Sequence, residues 1–99
     1  MENNTITVIV SEEDRNTVQR ADIERSSRRD ILIYLMQHPE VDISEERKQE
    51  YQKEYDEKYF AFEQAKSMIE NKYVFPNGKN KQLNWNLDYS SCELTITLK

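Results

Sequence analysis

The sequence predicts an α+β fold in the order β-α-α-β-β, with a small antiparallel sheet packed against two or three helices, one of them long. Three patterns predict this fold. A β-branched segment stands near the start, helical segments follow up to residue 73, and two alternating apolar segments close the chain. A chain of 99 residues is the size of one domain. Residues 1–99 are therefore expected to form a single domain, with the N-terminal strand and a C-terminal hairpin in one sheet.

The first strand and the first helix follow from the local sequence. Residues 5–10 are all β-branched, which favours a strand. Ser11 is a good N-cap, because the three acidic residues after it suit the positive end of a helix dipole. Helical character continues to His38, where Pro39 ends it. A break near Ser26, with a second helix starting there, fits the pattern as well as one unbroken helix does.

The long helix is predicted over residues 44–73, after the capping signal Asp42-Ile43-Ser44-Glu45. Aromatic and apolar residues recur there every three or four positions, which is one helical face. They are Tyr51, Tyr55, Tyr59, Phe62, Ala65, Ile69 and Tyr73. At ~1.5 Å per residue this helix would be roughly 45 Å long, whereas a compact domain of this size has a radius of gyration of about 13 Å. The helix is therefore expected to extend beyond its own domain or to kink.

The C-terminal segment is predicted to be a β-hairpin, preceded by a turn at Pro76-Asn77-Gly78. Apolar residues alternate with polar ones over residues 83–89 and again over residues 92–98. A two-residue turn at Ser90-Ser91 would place every apolar side chain on one face. It would pair Tyr89 with Cys92, Leu87 with Leu94, Trp85 with Ile96 and Leu83 with Leu98. Because Ser-Ser is a poor turn sequence, a longer loop is the alternative.

The composition argues against several classes of protein. Charged residues make up 33% of the chain and hydrophobic residues 36%, so the core must be small and much of the surface must be solvated helix. No apolar segment approaches the ~18–20 residues of a membrane span, and the first residues lack the basic and apolar regions of a secretory signal. The single cysteine, Cys92, leaves no internal disulfide and is typical of a reducing compartment. A soluble, cytoplasmic protein without membrane association is expected.

Residues that could catalyse a reaction or bind a metal do not form a pattern. His38 is the single histidine, and its place at a helix C-terminus suits a cation without any further role. Cys92 falls on the expected core face of a strand, without a neighbouring base that would activate its thiol. The sequence has neither zinc-ligand spacing of Cys and His nor a glycine-rich phosphate loop. We therefore expect no enzyme activity, no cofactor and no metal site.

The tyrosines of the long helix are the best candidates for a partner-binding surface, because tyrosine combines a large contact area with few rotatable bonds. Tyr51 and Tyr55 lie where the helix is expected to overhang, and Tyr59 continues their stripe. The alternative is that the stripe is simply core. The leading hypothesis is a non-enzymatic adaptor, accessory subunit or inhibitor that docks a protein partner, or a second copy of itself. The composition suits a phage or mobile-element protein of a low-GC bacterium, or an accessory protein of a peptide-modifying gene cluster.

Four arginines within ten residues form one basic cluster in a chain whose net charge is −5. They are Arg20, Arg25, Arg28 and Arg29. Such a cluster could contact nucleic-acid phosphate or an acidic protein surface. The alternative is that neighbouring carboxylates neutralise it within a solvated helix. These carboxylates belong to Asp22, Glu24 and Asp30.

Residues 5–36 resemble a ribbon-helix-helix DNA-binding module. The matching residues are Ile6, Val8 and Val10 as inward strand positions, Val18 and Ala21 inside the first helix, and Ser27-Arg28-Arg29-Asp30-Ile31 opening the second. The resemblance implies a dimer whose paired strands read the major groove through outward residues, which here are Thr5, Thr7 and Ile9. None of these three is basic, and the glycine usual between the two helices is absent. A dimeric DNA-binding regulator is the alternative function.

Overall fold

A computed structural model of the chain describes residues 4–77 and 83–98. In chain order the elements are β1 (Asn4–Ile9), α1 (Glu12–Gln37), α2 (Glu45–Ile69), a π-helical turn (Glu70–Val74), a 3-10 turn (Phe75–Asn77), β2 (Leu83–Asp88) and β3 (Glu93–Leu98). The predicted α+β class and the order β-α-α-β-β are confirmed. Of the turn predicted at 76–78, Pro76 and Asn77 belong to the 3-10 turn, and Gly78 lies outside the described residues.

The three strands form one antiparallel sheet in the order β1-β3-β2. The N-terminal strand therefore joins the C-terminal hairpin as predicted, with the last strand in the centre. Ile96 lies opposite Ile6 on one side and opposite Trp85 on the other. The register predicted for the hairpin is confirmed. Side chains of all three strands pack in or against the core, and they are Ile6, Val8, Trp85, Leu87, Leu94 and Ile96.

The turn of the hairpin differs from the two-residue turn at Ser90-Ser91. Strand pairing ends at Asp88 and Glu93, so the loop has the longer form that was the alternative. The N–H of Cys92 donates to the carbonyl of Asp88 at 2.9 Å, and Cys92 has a φ of 63°. The favoured two-residue turns need glycine or asparagine for their positive φ, which serine does not supply. Cys92 thus lies in the loop instead of the strand, with its side chain still buried.

α1 is one unbroken helix. The Oγ of Ser11 accepts a hydrogen bond from the N–H of Asp14 at 3.1 Å, which confirms the predicted N-cap. Inside the helix, the hydroxyl of Ser27 donates to the carbonyl of Ile23 at 2.9 Å, so this serine is satisfied without a break. A ribbon-helix-helix module needs two helices in this segment. The structure has one helix over Glu12–Gln37.

α2 begins at Glu45, one residue after the predicted start at 44. Its N-cap is Ser44, whose Oγ accepts from the N–H of Arg47 at 3.1 Å. At the other end the helix continues into the π-helical turn, in which the N–H of Phe75 donates to the carbonyl of Glu70. Because a π-helical turn is wider than an α-helical one, Ile69 and Val74 are both placed in the core, where each is 0% exposed.

The hydrophobic core lies at one end of the molecule, between the sheet, the first turns of α1 and the last turns of α2. Its buried members are Val10, Val18, Ala65, Ile69, Val74, Leu94 and Ile96. None of residues 19–64 is buried. Residues 23–61, which comprise most of both helices and the loop between them, project beyond the core, and we name them the helical arm. The molecule is 53 Å long with a radius of gyration of 17.4 Å, against about 13 Å for a compact domain.

Asp14 joins the start of α1 to the π-helical turn. Its Oδ2 accepts hydrogen bonds from Lys72 Nζ at 2.7 Å and from the hydroxyl of Tyr73 at 2.6 Å. The bond from Lys72, followed by that from Tyr73, holds the pKa of this carboxyl below its ordinary value of 3.8. A carboxyl whose native pKa is depressed stabilises the fold above its unfolded pKa, and this stabilisation is lost as the pH falls through the native pKa.

Replacing Asp14 by asparagine should therefore lower the free energy of unfolding by about 1 kcal/mol at pH 7, and the difference from the parent should narrow as the pH falls from 5 towards 2. Urea unfolding across this range measures both quantities. Asp30→Asn is the matched control, because the Asp30 side chain is 70% exposed and lies 3.6 Å from Arg29. If the parent and the Asp14→Asn variant differ in free energy of unfolding by the same amount at every pH, the charge of Asp14 has no part in stability.

Candidate functional site

The helical arm carries most of the large apolar side chains that the described structure leaves exposed. They are Ile23, Ile31, Ile33, Tyr34, Met36, Tyr59 and Phe60, with Ile9 and Phe75 as the two outside the arm. Single exposed apolar residues are normal on proteins, but a concentration of them usually marks an interaction surface. The arm is therefore the first candidate for a functional surface.

The end of α1 supplies the densest part of this surface. Tyr34 is 53% exposed and Met36 is 81% exposed. Residues three apart are neighbours on a helix, so Ile31 lies beside Tyr34 and Ile33 lies beside Met36. Leu32, which stands between Ile31 and Ile33 in the sequence, is half-buried. Apolar side chains thus remain exposed on either side of the line along which α1 packs on α2.

The three tyrosines predicted to bind a partner all lie in the arm. Tyr51 and Tyr55 are half-buried, and the hydroxyl of Tyr51 accepts from Arg47 Nε at 3.4 Å. Tyr59 is 46% exposed, and its ring centroid is 6.0 Å from that of Tyr55. The most exposed of the three predicted residues is therefore Tyr59, and the other two lie closer to the contact between the helices.

The residues of α1 in this surface were missed by the sequence interpretation, although a signal for them exists. Residues 31–36 are six consecutive apolar residues. A helix buries only one side against a single neighbour, so a run of this length must leave some members exposed unless other elements cover them. Among the described residues, α2 is the main element that packs on α1.

Two ion pairs connect the helices within the arm. Arg28 Nε lies 3.7 Å from a carboxylate oxygen of Glu54, and Lys58 Nζ lies 3.2 Å from one of Glu24. All four side chains are at least a third exposed, so each pair contributes at most about 1 kcal/mol. The contact between the helices thus depends on half-buried apolar residues and weak ion pairs, which leaves the arm without a core of its own.

The four arginines of the predicted basic cluster all lie on α1, and three of them pair with carboxylates. At about 100° per residue, positions 20, 25, 28 and 29 fall within about half of the circumference of α1. Arg25 pairs with Asp22 at 2.5 Å, Arg28 with Glu54 at 3.7 Å and Arg29 with Asp30 at 3.6 Å, while Arg20 is exposed. The pairs with Asp22 and Asp30 agree with the alternative in which neighbouring carboxylates neutralise the arginines. Glu24, the third carboxylate of that alternative, pairs with Lys58 of α2 instead.

A cleft of about 500 Å³ lies where β2 meets the two helices. Its walls include Asp22 of α1, Phe62 and Lys66 of α2, Glu70 of the π-helical turn, Trp85 of β2 and Tyr89 of the hairpin loop. This volume is within the ~300–1,000 Å³ range of typical ligand sites. The sequence interpretation placed Trp85 and Tyr89 in the core only, and no local signal in the sequence distinguishes a cleft wall from a core position.

Hydrogen bonds fix the walls of this cleft. The hydroxyl of Tyr89 donates to Asp22 Oδ2 at 3.0 Å, and the indole N–H of Trp85 donates to Glu70 Oε2 at 3.1 Å. Burial, followed by the hydrogen bond to Asp22, raises the pKa of Tyr89 to about 12, so its hydroxyl keeps its proton and donates at neutral pH. The guanidinium carbon of Arg25 lies 4.6 Å from the centre of the Phe62 ring. The hydrogen bonds of Trp85 and Tyr89 thus join β2 and the hairpin loop to the helical layer.

The remaining candidates for chemistry have ordinary surroundings. His38 Nδ1 lies 2.9 Å from a carboxylate oxygen of Glu40, and its ring stacks on Tyr34 with centroids 4.3 Å apart. Cys92 is a buried free thiol. Over residues 4–77 and 83–98, no group of three or more His, Cys, Asp or Glu side chains is arranged to hold a metal ion. Within the same residues, no helix has the length and apolarity needed to cross a membrane.

Comparison of the chain with protein-family models, with curated proteins and with solved structures finds no match to any of them. The chain is therefore classified by its architecture alone. It is an α+β domain with a three-stranded sheet and a projecting arm of two helices. Its function is inferred from the arm and from the cleft.

Proposed function

We propose that the protein is a non-enzymatic interaction module that docks a protein partner on its helical arm. The observation that carries the proposal is that residues 19–64 include no buried residue yet expose seven large apolar side chains. A partner that covers this surface would supply the burial that the chain's own core does not. The role would be that of an adaptor, accessory subunit or inhibitor in the cytoplasm.

The exposed area of the molecule supports the proposal. The accessible surface is 7299 Å², whereas a compact monomer of 11.9 kDa has about 5,900 Å². The excess of roughly 1,300 Å² is larger than the ~800 Å² that each partner contributes to a standard interface. The molecule as a whole thus exposes more surface than a compact monomer, by more than one partner's share of a standard interface.

The residue types on the arm also support docking. Aromatic residues and methionine are enriched in the centres of interfaces, and the arm exposes Tyr34, Met36, Tyr59 and Phe60. The occupant is either another protein or a second copy of this chain, since two such arms side by side would form a four-helix bundle.

Photo-crosslinking tests the proposal in the cells that make the protein. With p-benzoylphenylalanine in place of Tyr34, irradiation should link the chain to its partner, and a product of twice 11.9 kDa would identify a second copy. The same substitution at Phe75, which is 48% exposed but lies outside the arm, should give no product. Equal crosslinking at both positions, or none at position 34, would contradict docking on the arm.

A further inference from the structure

We infer that the cleft beside β2 binds an extended peptide segment of a partner, which adds to the open edge of the sheet and places a Lys or Arg side chain against Glu70. This site is separate from the arm and does not depend on the proposed function. Three observations carry the inference: the direction of free backbone groups on β2, the position of the cleft along that strand, and the charge of its walls.

The hydrogen-bond register of the sheet shows which backbone groups of β2 are free. The N–H of Val10 donates to the carbonyl of Cys92 at 2.9 Å. These two residues lie opposite each other just beyond the paired ends of β1 and β3, so they mark a bonded position of this ladder. Such pairs alternate along an antiparallel ladder. Leu94 and Ile96 therefore bond to β1, and the β3 residues between them bond to β2.

The same alternation continues into β2. Asn86 lies opposite Thr95, and Asn84 lies opposite Thr97, so these two asparagines are the residues of β2 that bond to β3. The N–H and C=O groups of Trp85 and Leu87 consequently point away from β3. Among the described residues no strand pairs with β2 on that side, which leaves these groups available to an added strand.

The cleft runs along this open edge. Four consecutive residues, 84–87, line it. Side chains of a strand point alternately to opposite faces, so a cavity that touches all four must lie along the edge of the strand. On the opposite wall Phe62, Lys66 and Glu70 follow at intervals of four. An extended segment in the cleft would bond to β2 through its backbone and contact the helical wall through alternate side chains.

The charges of the walls select a basic segment. Lys66 is paired with Glu63 at 3.6 Å, and Asp22 is paired with Arg25 at 2.5 Å. Glu70 accepts from the neutral indole N–H of Trp85, and no described cation forms an ion pair with it. The charge left over in the cleft is therefore negative, and the aromatic walls also favour a guanidinium or an apolar side chain.

A library of random dodecapeptides displayed on phage and selected against the full-length chain provides the probe. The enriched peptides should carry a Lys or Arg and an apolar residue two positions apart, because residues at that spacing share one face of a strand. A synthetic copy of the most enriched peptide should slow hydrogen exchange at the amides of Trp85 and Leu87. The amides of Thr5 and Thr7, at the other edge of the sheet, should be unaffected.

Backbone recognition is tested by methylating the peptide amides one at a time. Binding should be lost at every second position, because only alternate N–H groups face β2. Glu70→Gln keeps the acceptor for Trp85 but removes the charge, and it should weaken binding about fivefold. Glu93→Gln, on the exposed face of the sheet, is the matched control and should not change affinity.

Failure of this inference is distinguishable from failure of the docking arm. Substitutions at Ile33, Tyr34 and Met36 should leave peptide affinity unchanged. The inference is overturned if selection enriches no peptide, if methylation has no two-residue period, or if the protected amides lie in β1 or in the arm.

Discussion

Replacing Ile33, Tyr34 and Met36 together by glutamine should abolish partner binding while changing the free energy of unfolding by no more than about 1 kcal/mol. Central interface residues each contribute about 2 kcal/mol or more to binding, so the loss of three should reduce affinity more than a hundredfold. The fold should tolerate the change, because these side chains are 41%, 53% and 81% exposed. Glutamine is also a good helix former.

The matched control is the pair Ile9→Gln and Phe75→Gln. Both residues are as exposed as those on the arm, at 64% and 48%, but neither belongs to it. This variant should keep full partner binding. Urea unfolding of both variants and quantitative capture of the partner measure the two effects. If the control loses the partner as completely as the arm variant does, general surface hydrophobicity and not the arm is responsible for binding.

Replacing Ile69 by alanine should remove a large part of the stability of the protein. Ile69 is 0% exposed and belongs to a core of seven buried residues. Removing a buried isoleucine side chain costs about 2–5 kcal/mol, out of roughly 5–15 kcal/mol for a domain of this size. The core has few other residues that could compensate, so the variant should be close to unfolded at 37 °C.

The matched substitution in the arm is Leu35→Ala, which removes a half-buried side chain. We expect it to cost about 1 kcal/mol, because no buried cavity is created. Urea unfolding followed by circular dichroism measures both variants. Equal losses for Ile69→Ala and Leu35→Ala would show that the arm shares the stability of the core, which would weaken its assignment as a docking surface.

Those parts of the fold that depend on local patterns were predictable from the sequence. The alternation of apolar residues over 83–98 fixes the hairpin register, since a shift of one residue would expose the whole apolar face. The cap at Ser11 follows equally from its neighbours. The hairpin turn was harder to predict from the sequence. Its residue with a positive φ is Cys92, and a cysteine gives no sequence signal for a positive φ.

The continuity of α1 could not be decided from its sequence. Ser26 and Ser27 are as acceptable at a helix start as inside a helix in which the hydroxyl bonds back to a carbonyl. In the structure α1 packs along α2, and the pair between Arg28 and Glu54 joins the two helices one residue after Ser27. That contact depends on tertiary structure and is not visible in a local pattern.

The functional surfaces were predictable only in part. Helical periodicity identifies the face that carries Tyr51, Tyr55 and Tyr59, but it does not say which neighbour covers each residue. The structure places the larger exposure on Tyr34 and Met36 of the other helix. The cleft depends on β2 being an edge strand, and the order β1-β3-β2 results from pairing between opposite ends of the chain. No segment of the sequence carries this information alone.

The most direct test of the docking arm is the mass of the protein after isolation from the cells that make it, determined by light scattering on a size-exclusion column. The parent chain should elute in a complex heavier than its own 11.9 kDa, and the variant with glutamine at positions 33, 34 and 36 should elute at 11.9 kDa. A parent chain that elutes alone, or a variant that keeps its partner, would contradict the assignment of the arm as a docking surface.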